Sequence, residues 1–357
     1  MKTKFINFIK SVPLALSGVA LGLAALGNVL RATFPIAADI TGLDTIGIIR
    51  YCLASLSLFM LLLVVLRISF DFSHVKQELT YTHKHDEWKT SIPLSSLATV
   101  TMALMLLAGY IRPHAPVATF ALVVWYIALV LQVGIMIFFA VRFIPKFKVY
   151  AVYPSWFIVA VGIVVASVTA VDMGIRIIGQ ISFYTGFILY FLVFTLVVIK
   201  MIRAKYFMEA ARPTIAIFAA PMSLLIVGYF FSFRGTEQWS YPFFYFMLIF
   251  ALLVYAFVLF KMLSLLRIKF YATYAGFTFP LVISATAFRI GANITRLRLG
   301  ETALGFQIIN TFAHFALWIA ILACVFVIIH YIKYFIFWAS FNKEDKKVAT
   351  DIESVIE

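Results

Sequence analysis

Residues 271–288 read YATYAGFTFPLVISATAF. With its neighbours the run is long enough to cross a bilayer, whose hydrocarbon core takes about 20 residues of apolar helix. It nevertheless places Pro280 in mid-run, surrounds it with Gly276, Thr278, Ser284 and Thr286, and sets Phe279 at the break. Anchorage in lipid alone would favour plain Leu and Ile. Proline inside a helix removes a backbone donor and frees carbonyls, and at membrane depth those need protein or a water-filled cavity beside them. The stretch therefore points to an interior that is more than a packed bundle.

The chain around it has 357 residues, 64% apolar and 12% charged, with mean hydropathy +1.03. Soluble domains run at about 45–50% apolar and about 25% charged, so this is an all-α polytopic membrane protein. Ten apolar segments are expected, near 12–34, 46–66, 91–111, 117–141, 151–171, 177–200, 212–233, 241–265, 269–290 and 307–332. The first follows MKTKFINFIK, and its apolar run is longer than the 7–15 residues of a signal core, so it is expected to stay as a span. Residues 12–339 form the membrane domain, with 1–11 and 340–357 as polar ends.

The net charge of +14 invites a nucleic-acid reading, but its placement argues against one. Of the 29 Lys and Arg, 21 fall in the termini and in the loops on their side of the membrane, and 8 on the other. That is the positive-inside bias, and with an even number of crossings it puts both termini in the cytoplasm of a plasma (bacterial inner) membrane. Cys52 and Cys324 both lie in apolar segments and suggest no disulfide framework.

The odd and even crossings differ in kind. The first, VPLALSGVALGLAALG, is built of small residues, and the eighth, YPFFYFMLIFALLVYAFVLFKMLSL, of bulky ones. Pro13, Pro93, Pro154, Pro213, Pro221 and Pro280 all lie in odd crossings, and Pro242, in an even one, stands at a helix start where proline is tolerated. Five hairpins, each pairing a small-residue helix with a bulky one, imply an inner ring of odd helices and an outer ring of even ones. Small residues also permit close helix approach without any pore. Broken helices that mark pathways in transporters favour a lined conduit.

Acidic residues are kept to loops, the tail or segment ends: Asp39, Asp44, Asp172, Glu237 and Glu301 on the outer side, the others cytoplasmic. A proton relay or a cation filter wants carboxylates inside the membrane, so a neutral, hydroxyl-lined route with basic mouths suits anions. RIGANITRLRLGE, 289–301, is expected to be an outer loop whose Arg289, Arg296 and Arg298 either concentrate anions or snorkel at the interface. Asn293 begins a glycosylation-type triplet there. His314 and His330 are 16 residues apart on one helix, about 24 Å, but lack a second helix with matching haem ligands. HKHDE, with His83, His85, Asp86 and Glu87, reads as a solvated loop rather than a metal site. No nucleophile elbow, P-loop or glycine fingerprint is present, so neither an enzyme nor a cofactor is expected.

LSGVALGLAALG on the first crossing, YPSWFIVAVGIVVAS on the fifth and GFTFPLVISATAF on the ninth resemble the tellurite-resistance/dicarboxylate transporter family. That family includes the bacterial TehA proteins and the slow anion channels of plant guard cells. The resemblance covers the whole membrane region with the same ten crossings. It implies a homotrimer with one pore per protomer, five inner helices around each pore, and occlusion by the phenylalanine of the Thr-Phe-Pro motif, here Phe279. Phe277, Thr278 and Pro280 are the gate's neighbours. The implied function is a channel for small monovalent anions such as chloride and nitrate, the alternative being a carrier of C4-dicarboxylate, sulfite or tellurite. The residues alone leave Phe279 open to ordinary interface packing.

Overall fold

A computed structural model describes residues 2–34, 44–80, 88–145, 151–203 and 208–356. It is helical throughout the described residues, and nine helical spans among them are long and apolar enough to cross a membrane. A short helix α1 (Lys2–Ser11) leads into α2 (Leu16–Thr33), α3 (Thr45–Phe70) and a surface helix α4 (Phe72–Thr80). Then come α5 (Trp88–Ile111), α6 (Ala118–Phe143), the short pair α7 (Trp156–Val161) and α8 (Val164–Thr169), and α9 (Arg176–Arg203). A 3-10 stretch (Glu209–Ala219) runs into α10 (Ala220–Phe233), followed by α11 (Tyr241–Leu265). A second 3-10 stretch (Ala272–Phe277) precedes α12 (Phe279–Leu299), and α13 (Leu304–Ile356) closes the chain and carries its helix on through the polar tail.

The alternation in sequence becomes two layers. The first, third, seventh and ninth spans are 67, 67, 83 and 89% buried, and the fifth is buried almost throughout. The even spans are only 33, 22, 28, 33 and 39% buried, and they turn Phe120, Ile188, Leu253 and Phe260 outward. Apolar side chains facing out are what lipid requires, whereas the small residues inside let backbones approach.

Hydroxyls tie neighbours of the inner ring together. Ser17 bonds Thr99 between α2 and α5 at 2.6 Å, Ser232 of α10 donates to the Ser167 carbonyl of α8 at 2.8 Å, and Ser223 meets Ser284 between α10 and α12 at 3.0 Å. Thr278 donates to the Gly18 carbonyl at 3.0 Å and joins the ninth span back to α2. Tyr334 Oη donates to the Ser11 carbonyl at 3.0 Å, so the two ends of the membrane region meet on one face, here called the terminal face.

Two expectations need correcting. The fifth crossing is a pair of short helices joined at Gly162 and Ile163, where i to i+3 bonds replace the regular ladder. The break removes a helical partner from the Val159 carbonyl. Gln132 of the outer helix α6, completely buried, supplies one: its Nε2 donates to that carbonyl at 3.4 Å, and its Oε1 accepts from Thr101. Buried carbonyls in a membrane must be satisfied somewhere, and here an outer helix serves an inner one. Gln132→Leu is expected to cost about 1–2 kcal/mol, read as a lower unfolding temperature in detergent.

The second correction concerns 289–299, expected as an outer loop. These residues continue α12, which ends only at Gly300, whose φ of +86° lies in the left-handed region that suits glycine. The arginines interrupted the apolar run without interrupting the helix.

Candidate functional site

The inner ring encloses three cavities in succession. A vestibule of about 650 Å³ opens on the terminal face, where Lys10, Arg67 and Glu78 lie on its wall. It shares Ala15, Ile92, Ser96 and Thr273 with a narrow chamber of about 70 Å³, whose hydroxyls come from Ser96, Thr99, Ser155, Thr214 and Thr273. Beyond lies a far cavity of about 440 Å³. Phe279 and Leu224 line both the chamber and the far cavity, so these two side chains stand where the cavities adjoin.

Local structure explains how Phe279 comes to be there. The 3-10 stretch ends at Phe277, and Thr278 turns the chain with φ −82° and ψ −85° before α12 starts at Phe279. Pro280 falls in the first helical turn, where its missing N–H would have lacked a partner anyway. The proline therefore marks a helix start inside the membrane, and just ahead of it the Ala275 carbonyl accepts from both the Thr278 amide and the Thr278 hydroxyl. Of the small polar residues around the break, Thr278 and Ser284 tie helices together, while Gly276 and Thr286 face the cavities.

Phe277 points elsewhere. It is 1% exposed, its ring centroid is 5.0 Å from that of Tyr274, and it lines none of the three cavities. Phe279 is 6% exposed.

The other prolines gather toward the terminal half of the inner ring. Pro13, between α1 and α2, and Pro93, inside α5, line the vestibule. Pro154 stands just ahead of α7 and Pro213 lies within the 3-10 stretch before α10. Pro221, in the first turn of α10, lines the narrow chamber as Pro280 does.

The three candidate mouth arginines separate. Arg289 is 7% exposed, lines the far cavity, and donates from Nη1 to Asn310 Oδ1 at 2.8 Å. Arg296 is exposed and 3.5 Å from Glu301, while Arg298 lies over the Tyr241 ring at 4.3 Å. Neither lines the far cavity. Arg31, Arg50 and Arg234 do, and sequence reasoning missed them because each sits at the end of a different span. Asp44 pairs with Arg31 at 2.6 Å, and Arg50 lies 4.3 Å from the Tyr110 ring centroid and donates to Asn28. Asp172 shares the same wall, where burial pushes its carboxyl pKa up against the opposing charge of Arg50.

Among the remaining candidates, His330 stacks against Phe270, lies beside the Phe326 ring and donates from Nδ1 to the Phe326 carbonyl, and His314 sits beside Phe34. Neither lines the three cavities. Residues 83–87 and Asp39 lie outside the described residues.

A helical membrane protein whose inner helices surround a divided, arginine-flanked passage belongs to the class of channels and transporters. A family model described as voltage-dependent anion channel, SLAC1, matches residues 11–332, and the chain belongs to that family. It is thus an anion channel or transporter of the lipid bilayer, in the family whose first, fifth and ninth spans its own resemble. A search of curated proteins finds no match.

Proposed function

We propose that this protein is a passive channel for small monovalent anions, chloride and nitrate among them, with a pore inside each protomer occluded by Phe279. The observation that carries this reading is that Phe279 and Leu224 border both the narrow chamber and the far cavity. An apolar ring in a narrow passage displaces water, and an anion stripped of its hydration meets a steep electrostatic cost. The channel domain spans 12–339, the terminal face is cytoplasmic by the Lys and Arg bias, and the protomers assemble as a homotrimer in the plasma membrane.

Reversal potentials in planar bilayers, measured across gradients of halides, nitrate and malate, test the proposal. Unitary currents that follow the anion gradient are expected. Saturable exchange without unitary current would replace the channel with a carrier of dicarboxylate, sulfite or tellurite.

The far cavity gives a second test. Arg50→Gln with Arg234→Gln should lower conductance about threefold at about 10 mM salt and hardly at all at about 1 M, since the screening length falls from about 30 Å to about 3 Å. Arg296→Gln with Arg298→Gln should lower conductance less at about 10 mM and hardly at all at about 1 M, because neither side chain lines the cavity and Arg296 is 3.5 Å from Glu301. Equal losses from both pairs would show that the effect is a general surface potential.

A further inference from the structure

Arg289 has an edge that its packing buries without a hydrogen-bond partner. Its side chain comes off α12 on the face that also carries Phe279, Ile283, Thr286, Ile290 and Asn293 along the far cavity. Asn310 of α13 takes Nη1 at 2.8 Å and fixes the plane of the guanidinium. Nε and Nη2, both buried, have no protein partner. Those two nitrogens share one edge of the guanidinium, and their N–H bonds run side by side. That fork matches two oxygens carried on one central atom, and the match is geometric as well as electrostatic.

We propose that Arg289 is a binding post for planar oxyanions in the far cavity, with Nε–H and Nη2–H donating to two coplanar oxygens of nitrate, bicarbonate or a monocarboxylate. A halide presents a single centre to the fork and loses the second linear bond. The post lies ten residues beyond Phe279 on the same helix, about 15 Å along its axis, so an anion held there waits on the far side of the gate. Its consequence for flux rests on the conducting role proposed above. Binding itself does not, and is read separately.

The purified full-length protein in detergent is heated in sodium nitrate, sodium chloride or, as the reference, the strongly hydrated sodium fluoride at equal ionic strength. A ligand that binds the folded state raises the unfolding temperature by mass action. Nitrate is expected to raise it more than chloride, with an apparent affinity about tenfold tighter, the worth of one charge-assisted hydrogen bond. Arg289→Lys keeps the charge and removes the fork: the nitrate advantage should vanish while the chloride response stays. Arg289→Gln should lose both responses. A wild-type protein stabilised equally by nitrate and chloride overturns the proposal without any variant, and so does a nitrate advantage that survives Arg289→Lys. The channel reading stands or falls elsewhere, on unitary anion currents in planar bilayers, which Phe279→Ala is expected to raise, so the two failures are distinguishable. In that open background, Arg289→Lys should raise the nitrate concentration for half-maximal conductance about tenfold and leave that for chloride unchanged. An unchanged nitrate value would confine the site to equilibrium binding and remove it from the conduction path.

Discussion

Phe279→Ala is expected to raise anion conductance by tenfold or more, with the protein still assembled. The substitution removes the ring that borders both the narrow chamber and the far cavity and leaves Leu224 to separate them alone. A tenfold rise requires only about 1.4 kcal/mol off the barrier, little beside the cost of dehydrating an anion. Because Phe279 borders open space on two sides, its truncation should cost less stability than truncating a ring packed on all sides. Phe277→Ala is the control. That ring is 1% exposed and packs against Tyr274, so its loss should destabilise by about 3–5 kcal/mol and leave conductance where it was. Leu224→Ala should raise conductance by less than Phe279→Ala, since a smaller group is removed from the same boundary. Unchanged current in Phe279→Ala, with a rise in Phe277→Ala, would transfer the gate to the other ring.

The two-layer architecture was legible in the sequence because membrane helices sort by side-chain size as well as hydropathy. Small residues on alternate spans and bulky ones between them are a direct record of which helix meets lipid, and the burial of the odd spans follows that record. The expectation for Phe279 came only from the motif around it: among 38 phenylalanines, hydropathy assigns no special role to this one. The broken fifth span was hidden for a different reason. What stabilises the break is Gln132, which lies one span earlier on an outer helix and reaches the Val159 carbonyl through tertiary packing. A lone Gln in an apolar run was the available signal.

The arginines show the limit of reading segment ends from hydropathy. Arg289 interrupts the apolar run, so the run was cut there and the following residues became a loop. In the structure Asn310 and the far cavity accommodate the guanidinium, and the helix goes on to Leu299. The mouth was then sought where arginines are dense in sequence. The cationic wall of the far cavity is built instead from Arg31, Arg50, Arg234 and Arg289, brought together from α2, α3, the turn after α10, and α12. Local density along the chain carries no information about convergence around a ring.

Gly22→Ala is expected to destabilise the protein and open the conduit, although alanine is the better helix former by about 1 kcal/mol. A Cβ on Gly22 of α2 would lie 2.6 Å from Thr278 Cβ, 2.7 Å from its hydroxyl and 2.9 Å from the Phe279 amide nitrogen. These are the backbone and the first side-chain atoms of the turn that presents Phe279. Thr278 cannot simply rotate away, because its single hydroxyl proton is shared between the carbonyls of Gly18 and Ala275. Either α2 withdraws from α12 or the turn shifts and carries Phe279 with it. Overpacking of this kind costs about 1–3 kcal/mol, so a net loss of stability, against the helix preference for alanine, reports the clash. Movement of the turn should also raise basal anion current, by less than Phe279→Ala does. Thr278→Gly removes both the Cβ and the hydroxyl that alanine would strike. Residues in contact couple by about 0.5–3 kcal/mol in a double-mutant cycle, so Gly22→Ala and Thr278→Gly together should be more stable than the sum of the two single losses predicts, with part of the excess current removed. Strictly additive stabilities and a current unchanged in Gly22→Ala would mean that α2 does not hold the hinge of the gate, and that the position of Phe279 is set from within α12 alone.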